Sequence, residues 1–208
     1  MPVWCKICGI KTPTDALVVA DSGADAIGLN FYSQSARFVT PQGAQQIVSA
    51  VNDKDILLVG VFVNADAQYV ERCAQSGQLD LLQFHGDESV EFCEQFSQPY
   101  IKVLKASAKT KSDIALYKSA WAIMLDTAAN GEFGGTGHTF DWELWPGDLH
   151  ERMLLAGGLD PNNVGAAIGQ LMPFGVDVSS GVETSVKGVK DPQKIADFVQ
   201  AVRLPIQP

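Results

Sequence analysis

The chain has 208 residues, 46% hydrophobic and 19% charged, the balance of a sequence that buries a core rather than staying disordered. Its 24 acidic against 15 basic residues give a formal net charge of -9, which repels nucleic-acid backbones and anionic membranes and argues against either as a partner. No apolar run approaches the ~20 residues of a membrane-spanning helix, and the opening MPVWCKICGI lacks a signal-peptide pattern. Four cysteines read as reduced thiols rather than a disulfide framework, so the expectation is a cytoplasmic protein with one domain over 1–208.

Taken in chain order, short runs rich in β-branched residues alternate with helical stretches. A strand is predicted at 3–8 and a helix at 12–22, with Thr12 as N-cap and Pro13 at the first helical position. Strand 26–31 precedes helix 41–51; strand 56–63 precedes helix 65–76; strand 79–85 precedes helix 88–96. Strand 100–104 is paired with helix 111–119, and strand 121–126 leads into a Gly-rich segment and a weak helix starting near Asp141. Strand 153–156 with helix 162–171, then strand 176–179 with helix 192–202, complete the series. About eight such units predict an α/β fold with a parallel sheet, and a compact (β/α)8 TIM barrel fits in ~200 residues. A doubly wound sheet needs fewer units, and no G-x-G-x-x-G follows the first strand.

In such a barrel the chemistry lies at the C-terminal ends of the strands. In the first strand Val3, Cys5 and Ile7 share the helix-facing side, while Lys6 and Cys8 point inward. Cys5 and Cys8 therefore point apart, which speaks against a C-x-x-C redox pair or half a zinc site. Cys73 and Cys93 read as packing residues on helices. Cys8 beside Lys6 is either a buried small residue or a reactive thiol. Asp126 ends an apolar strand on its inner face, where a carboxylate is costly unless hydrogen-bonded or used. The glycines of 130–138 suit a loop that closes on a ligand or a plain surface loop.

Gly157-Gly158 and Ser179-Ser180 follow the seventh and eighth strands, where barrel enzymes often hold a phosphate. Asp177 shares the inward register with Ser179. Arg37, after the second strand, is placed to receive a carboxylate in bidentate fashion, the alternative being a solvated arginine. Asn30, Gln83 and His85 also fall in the inward register, and His138 and His150 read as loop or surface residues. No His, Cys or Asp grouping has metal-ligand spacing, so no metal is expected.

KICGI (6–10), DAIGLNF (25–31), SARFV (35–39), LLQFHGDES (81–89), LDTAANGEFGGTGHTFDW (125–142), LLAGGLDPNNV (154–164) and DVSSGVE (177–183) follow one another along the whole chain. Together they resemble the phosphoribosylanthranilate isomerase family of tryptophan biosynthesis. That resemblance implies a TIM barrel and an Amadori rearrangement of N-(5-phosphoribosyl)anthranilate to 1-(2-carboxyphenylamino)-1-deoxyribulose 5-phosphate, with no metal or organic cofactor. It implies Asp126 as general acid and Cys8 as general base, with Arg37 on the anthranilate carboxylate. Gly157, Gly158, Ser179 and Ser180 would bind the phosphate, and Asp177 the sugar hydroxyls or the bridging amine.

A small phosphorylated molecule is then the partner, bound by a monomer or homodimer. Both catalytic groups must move toward neutrality, from near 8.5 for a thiol and near 4 for a carboxylic acid; Lys6 is expected to hold the Cys8 thiol partly ionised. The chain has Ala36 where the family more often has proline, and His138 where it more often has lysine. Competing readings are the histidine-pathway aldose–ketose isomerase, which resembles a two-aspartate design, a phosphate-ligand binding barrel without turnover, and a C-x-x-C redox protein.

Overall fold

A computed structural model describes residues 2–105, 110–126, 145–146 and 149–204. Eight parallel strands close into one barrel in sequence order, the last hydrogen-bonded to the first. In chain order these are β1 (Trp4–Cys8), α1 (Pro13–Asp21), β2 (Ala26–Asn30), α2 (Pro41–Val51), β3 (Leu57–Phe62), α3 (Ala67–Ser76), β4 (Leu81–Phe84) and α4 (Val90–Glu94). The second half holds β5 (Tyr100–Lys105), α5 (Thr110–Leu116), β6 (Ala122–Asp126), β7 (Met153–Leu155), α6 (Val164–Leu171), β8 (Gly175–Val178) and α7 (Pro192–Arg203). The Gly-rich stretch, His138 and the helix expected near Asp141 lie outside the described residues.

Local chemistry sets the helix starts. Thr12, Thr40, Asp66, Ser89 and Asp191 each accept a first-turn backbone N–H, and proline opens α1, α2 and α7. These caps set where the helices begin. The 88–96 stretch starts its helix at Val90 rather than Glu88 because Ser89 takes the cap. Glu88 leaves the helix to accept from the N–H groups of Asn64 and Gly86 and to pair with Lys102 at 2.8 Å.

Strand alternation divides the core into two layers. Ala26, Val59, Leu81, Ile101, Met124 and Leu154 fill the barrel interior. The N-terminal end is closed by Trp4, Trp121 and Phe174, packed edge to face, with the Arg152 guanidinium 5.3 Å from the Trp121 ring. Cys5, Ile7, Ile27, Leu29, Leu82, Ile123 and Leu125 face the helices instead. The interior is solid at one end, so a small molecule has access to it only from the other.

Candidate active site

Interior side chains at the C-terminal ends of β1, β4, β6 and β8, with the loops that follow, line one cavity. Cys8 ends β1 facing inward, 8% exposed, while Cys5 is fully buried among the outer-layer residues. All four cysteines are free, and the opposed faces of Cys5 and Cys8 remove the redox reading. Gly28 stands beside Cys8 in register. A methyl group there would lie 2.7 Å from Cys8 Sγ and 3.1 Å from Lys6 Cε, so the absent side chain makes room for both.

Lys6 is fully buried, its Nζ 2.7 Å from Asp177 Oδ1, and the two residues are strand partners. Burial alone would depress the ammonium; the Asp177 carboxylate, helped by Cys8, more than reverses that and holds Lys6 above its ordinary value. For Cys8, burial dominates and raises the thiol, although Lys6 and Lys190 pull it down and Asp177 adds to the rise. The expected move of the thiol toward neutrality is therefore corrected. Lys6 shares its charge with Asp177, and what remains does not offset desolvation of the thiolate.

Asp126 ends β6, 4% exposed. Its Oδ2 is 3.2 Å from His85 Nε2, while Oδ1 is buried without a hydrogen-bond partner among the described residues. Gln83 Oε1 is in the same state, its Nε2 reaching only the Met124 sulfur at 3.8 Å. Each unmet acceptor costs about 1–3 kcal/mol, a cost that a ligand donor would relieve. Two such atoms in one cavity mark where a hydrogen-bonding ligand belongs. Of the two readings of Asp126, hydrogen-bonded in place or used, the orphaned Oδ1 favours the second.

Opposite lie the small-residue loops. Gly157 and Gly158, at φ 92° and 64°, adopt left-handed backbone in succession, which glycine takes at no steric cost. Asn163 Nδ2 pins the turn by donating to the Gly158 carbonyl at 2.8 Å. Ser179 Oγ donates to the Cys8 carbonyl at 3.2 Å, tying the end of β8 to the end of β1. Ser180 starts a single 3-10 turn, Ser180–Val182. All four residues line the cavity.

Arg37 is not solvated: it is 6% exposed and forks onto Glu183, with Nε–Oε1 at 2.6 Å and Nη2–Oε2 at 3.0 Å. Asn30 braces the loop that carries it, accepting from Tyr32 N at 2.9 Å and donating to Ser35 Oγ at 3.3 Å. Glu183 and Lys190 were not among the expected site residues. DVSSGVE contains the glutamate, but only its pairing with Arg37, 146 residues earlier, gives it a role. Among the described residues no cluster of His, Cys, Asp and Glu is arranged to hold a metal.

A family model described as N-(5'phosphoribosyl)anthranilate (PRA) isomerase matches residues 5–201. The chain belongs to that family. It is 50% identical over 205 residues, 97% of this chain and 96% of the relative, to the N-(5'-phosphoribosyl)anthranilate isomerase of Pseudomonas fluorescens strain ATCC BAA-477 / NRRL B-23932 / Pf-5. The crystal structure of phosphoribosyl anthranilate isomerase from Thermotoga maritima superposes with a TM-score of 0.87 at 38% identity, over 96% of this chain and 98% of that one. A structure of a phosphoribosyl anthranilate isomerase with reduced 1-(o-carboxyphenylamino)-1-deoxyribulose 5-phosphate gives 0.84 at 37% identity, over the same shares. Family membership decides against the histidine-pathway isomerase and the binding barrel without turnover. The activity is the aldose–ketose isomerisation of tryptophan biosynthesis.

Proposed function

We propose that Asp126 and Cys8 are the acid and base of this isomerisation, acting on a substrate held by its phosphate at one end and its carboxylate at the other. Asp126 protonates the ribose ring oxygen, and the C1–O bond breaks as the anthranilate nitrogen forms a double bond to C1. The iminium acidifies the proton on C2. Cys8 thiolate takes that proton, and the electron pair forms the C1–C2 double bond as the nitrogen recovers its lone pair. Protonation at C1 and loss of the proton on O2 complete the ketose, with no atom gained or lost.

The observation that carries this reading is the buried, unpartnered Oδ1 of Asp126 in a cavity that Cys8 also lines. The raised thiol fits a base that must be strong once ionised. The cationic iminium, forming beside it, lowers the cost of the thiolate when it is needed. Lys6 holds Asp177 and lends what charge remains to Cys8, while Asp177 faces the sugar hydroxyls or the bridging amine. Gly157, Gly158, Ser179 and Ser180 take the phosphate, Arg37 the carboxylate, and Gln83 and His85 line the space between. Fixing both ends places C1 and C2 between acid and base. The free thiols suit a cytoplasmic enzyme.

Single-turnover measurements with C2-deuterated substrate test the base. The reading predicts slowed turnover and a far larger loss in Cys8→Ser; a C2–D bond that breaks without slowing the reaction, or with Cys8→Ser as fast as wild type, contradicts it.

A further inference from the structure

Arg37 presents a difficulty as a carboxylate receptor. One edge of its guanidinium is already bound to the Glu183 carboxylate, which by itself would cancel the charge an incoming carboxylate needs. The local charge count resolves this. Lys190 is buried at 4% exposure, and its Nζ donates to Glu183 Oε1 at 3.2 Å and to the Ser179 carbonyl at 2.8 Å. Gly188 N–H donates to Glu183 Oε2 at 3.0 Å. One carboxylate thus serves two cations and an amide, so the Arg37–Glu183–Lys190 cluster retains one net positive charge. Guanidinium has five N–H donors, and Glu183 uses two of Arg37's while the residue lines the cavity.

We infer that Lys190 is a positioning residue that couples the two ends of the site, keeping Arg37 fixed and cationic through Glu183 and bracing the phosphate loop through the Ser179 carbonyl. This rests on the assignment of Arg37 to the carboxylate and Ser179-Ser180 to the phosphate made above. The backbone supports the coupling, since Glu183 and Lys190 also face each other in an antiparallel bridge. So does the titration behaviour. Burial pushes the Glu183 carboxyl up, yet the Arg37 hydrogen bond, the Gly188 amide and Lys190 together hold it below the usual carboxylate range. Burial depresses Lys190, with Glu183 restoring only part of the loss. A lysine that served only to hold the loop between β8 and α7 would need the carbonyl contact alone, without a buried charge shared with the arginine's partner.

The test is calorimetric binding of three probes to the full chain: the reduced product analogue, the same compound lacking its aromatic carboxylate, and inorganic phosphate. Wild type should prefer the carboxylated analogue. In Lys190→Met that preference should fall about tenfold and phosphate affinity should fall severalfold, the loss expected for one charge-assisted hydrogen bond at each end; Lys190→Arg should restore both. Lys190→Gln keeps a donor for the Ser179 carbonyl but no charge, so it should lose the carboxylate preference and keep phosphate affinity. It carries the test if Lys190→Met does not fold. Wild-type preference surviving in Lys190→Met or Lys190→Gln, or wild-type phosphate affinity surviving in Lys190→Met, would overturn the inference. Equal weakening of the two analogues would also overturn it, because that is what general loosening produces. If wild type and Arg37→Met alike fail to distinguish the two analogues, the Arg37 assignment itself falls, and the inference with it.

Discussion

Gly28→Ala tests most sharply how the barrel makes room for its base. The added methyl would lie 2.7 Å from Cys8 Sγ, 3.0 Å from Cys8 Cα and 3.1 Å from Lys6 Cε. Ordinary contact begins near 3.4 Å, so the sulfur must retreat by roughly 0.7 Å, in line with contact distances of 3.5–4.0 Å for close-packed carbon. The Cys8 backbone, held in the β1–β2 ladder, can yield little. Overpacking of this kind costs about 1–3 kcal/mol, while a displacement approaching 1 Å at a reacting group costs about 10²-fold in rate. Activity should therefore fall by about 10²-fold, equivalent to about 2.7 kcal/mol, in protein that is destabilised by a comparable amount but still folded. The assay pairs kcat/KM for the isomerisation with urea unfolding of the same preparations. Gly165→Ala is the control: it sits in α6 with nothing within 4 Å of the added atom, and should gain about 1 kcal/mol of stability at unchanged activity. Gly28→Ala with wild-type kcat/KM would refute the argument that this glycine sets the position of the thiol.

Further predictions concern the buried charges. Lys6→Met leaves Asp177 buried without its cation, at a cost of about 3–5 kcal/mol, and Lys6→Met/Asp177→Asn should recover much of the loss in urea unfolding. Because Lys6 draws the Cys8 thiol down while Asp177 pushes it up, the single variant Lys6→Met should show the alkaline rise of kcat/KM displaced to higher pH; an unmoved limb in that variant would remove Lys6 from the tuning of the base. Glu183 has a folded-state value below its usual one, so its contribution is complete above the unfolded value, near 4.3, and is lost as pH falls through the folded value. Glu183→Gln should thus cost about 3 kcal/mol at pH 7, with the gap from wild type narrowing in acid; unfolding curves at several pH values would show a constant gap if the charge were irrelevant. Arg37→Met should raise KM for the carboxylated substrate far more than it changes inhibition by inorganic phosphate.

The sequence carried the architecture because a parallel barrel writes its pattern twice, once in the alternation of strand and helix and once in the two-residue period of each strand. That period separated Lys6 and Cys8 from Cys5 and Ile7, and Met124 and Asp126 from Ile123 and Leu125, as the two packing layers now do. Caps such as Ser89 set where the helices begin. What stayed hidden were pairings between distant strands and loops. Nothing near Lys6 announces that its charge goes to Asp177, 171 residues away. Nothing near Lys190 announces that it meets the carboxylate holding Arg37. The thiol shows the same limit: its proximity in sequence to Lys6 points to a lysine at its service, whereas burial and the anion that shares that lysine hold it up. The same holds for Lys102, a charge inside the apolar YIKVLK whose partner Glu88 appears only in the fold, one strand–helix unit earlier.

The most direct test follows the loss of anthranilate fluorescence when purified protein meets freshly generated N-(5-phosphoribosyl)anthranilate, with wild type, Cys8→Ala and Asp126→Asn side by side. Rapid turnover by wild type, with each variant folded and slowed by about 10²–10⁴-fold, is the result expected of an acid and a base that each carry one proton transfer. Turnover within severalfold of wild type in either folded variant would contradict the assignment of that residue.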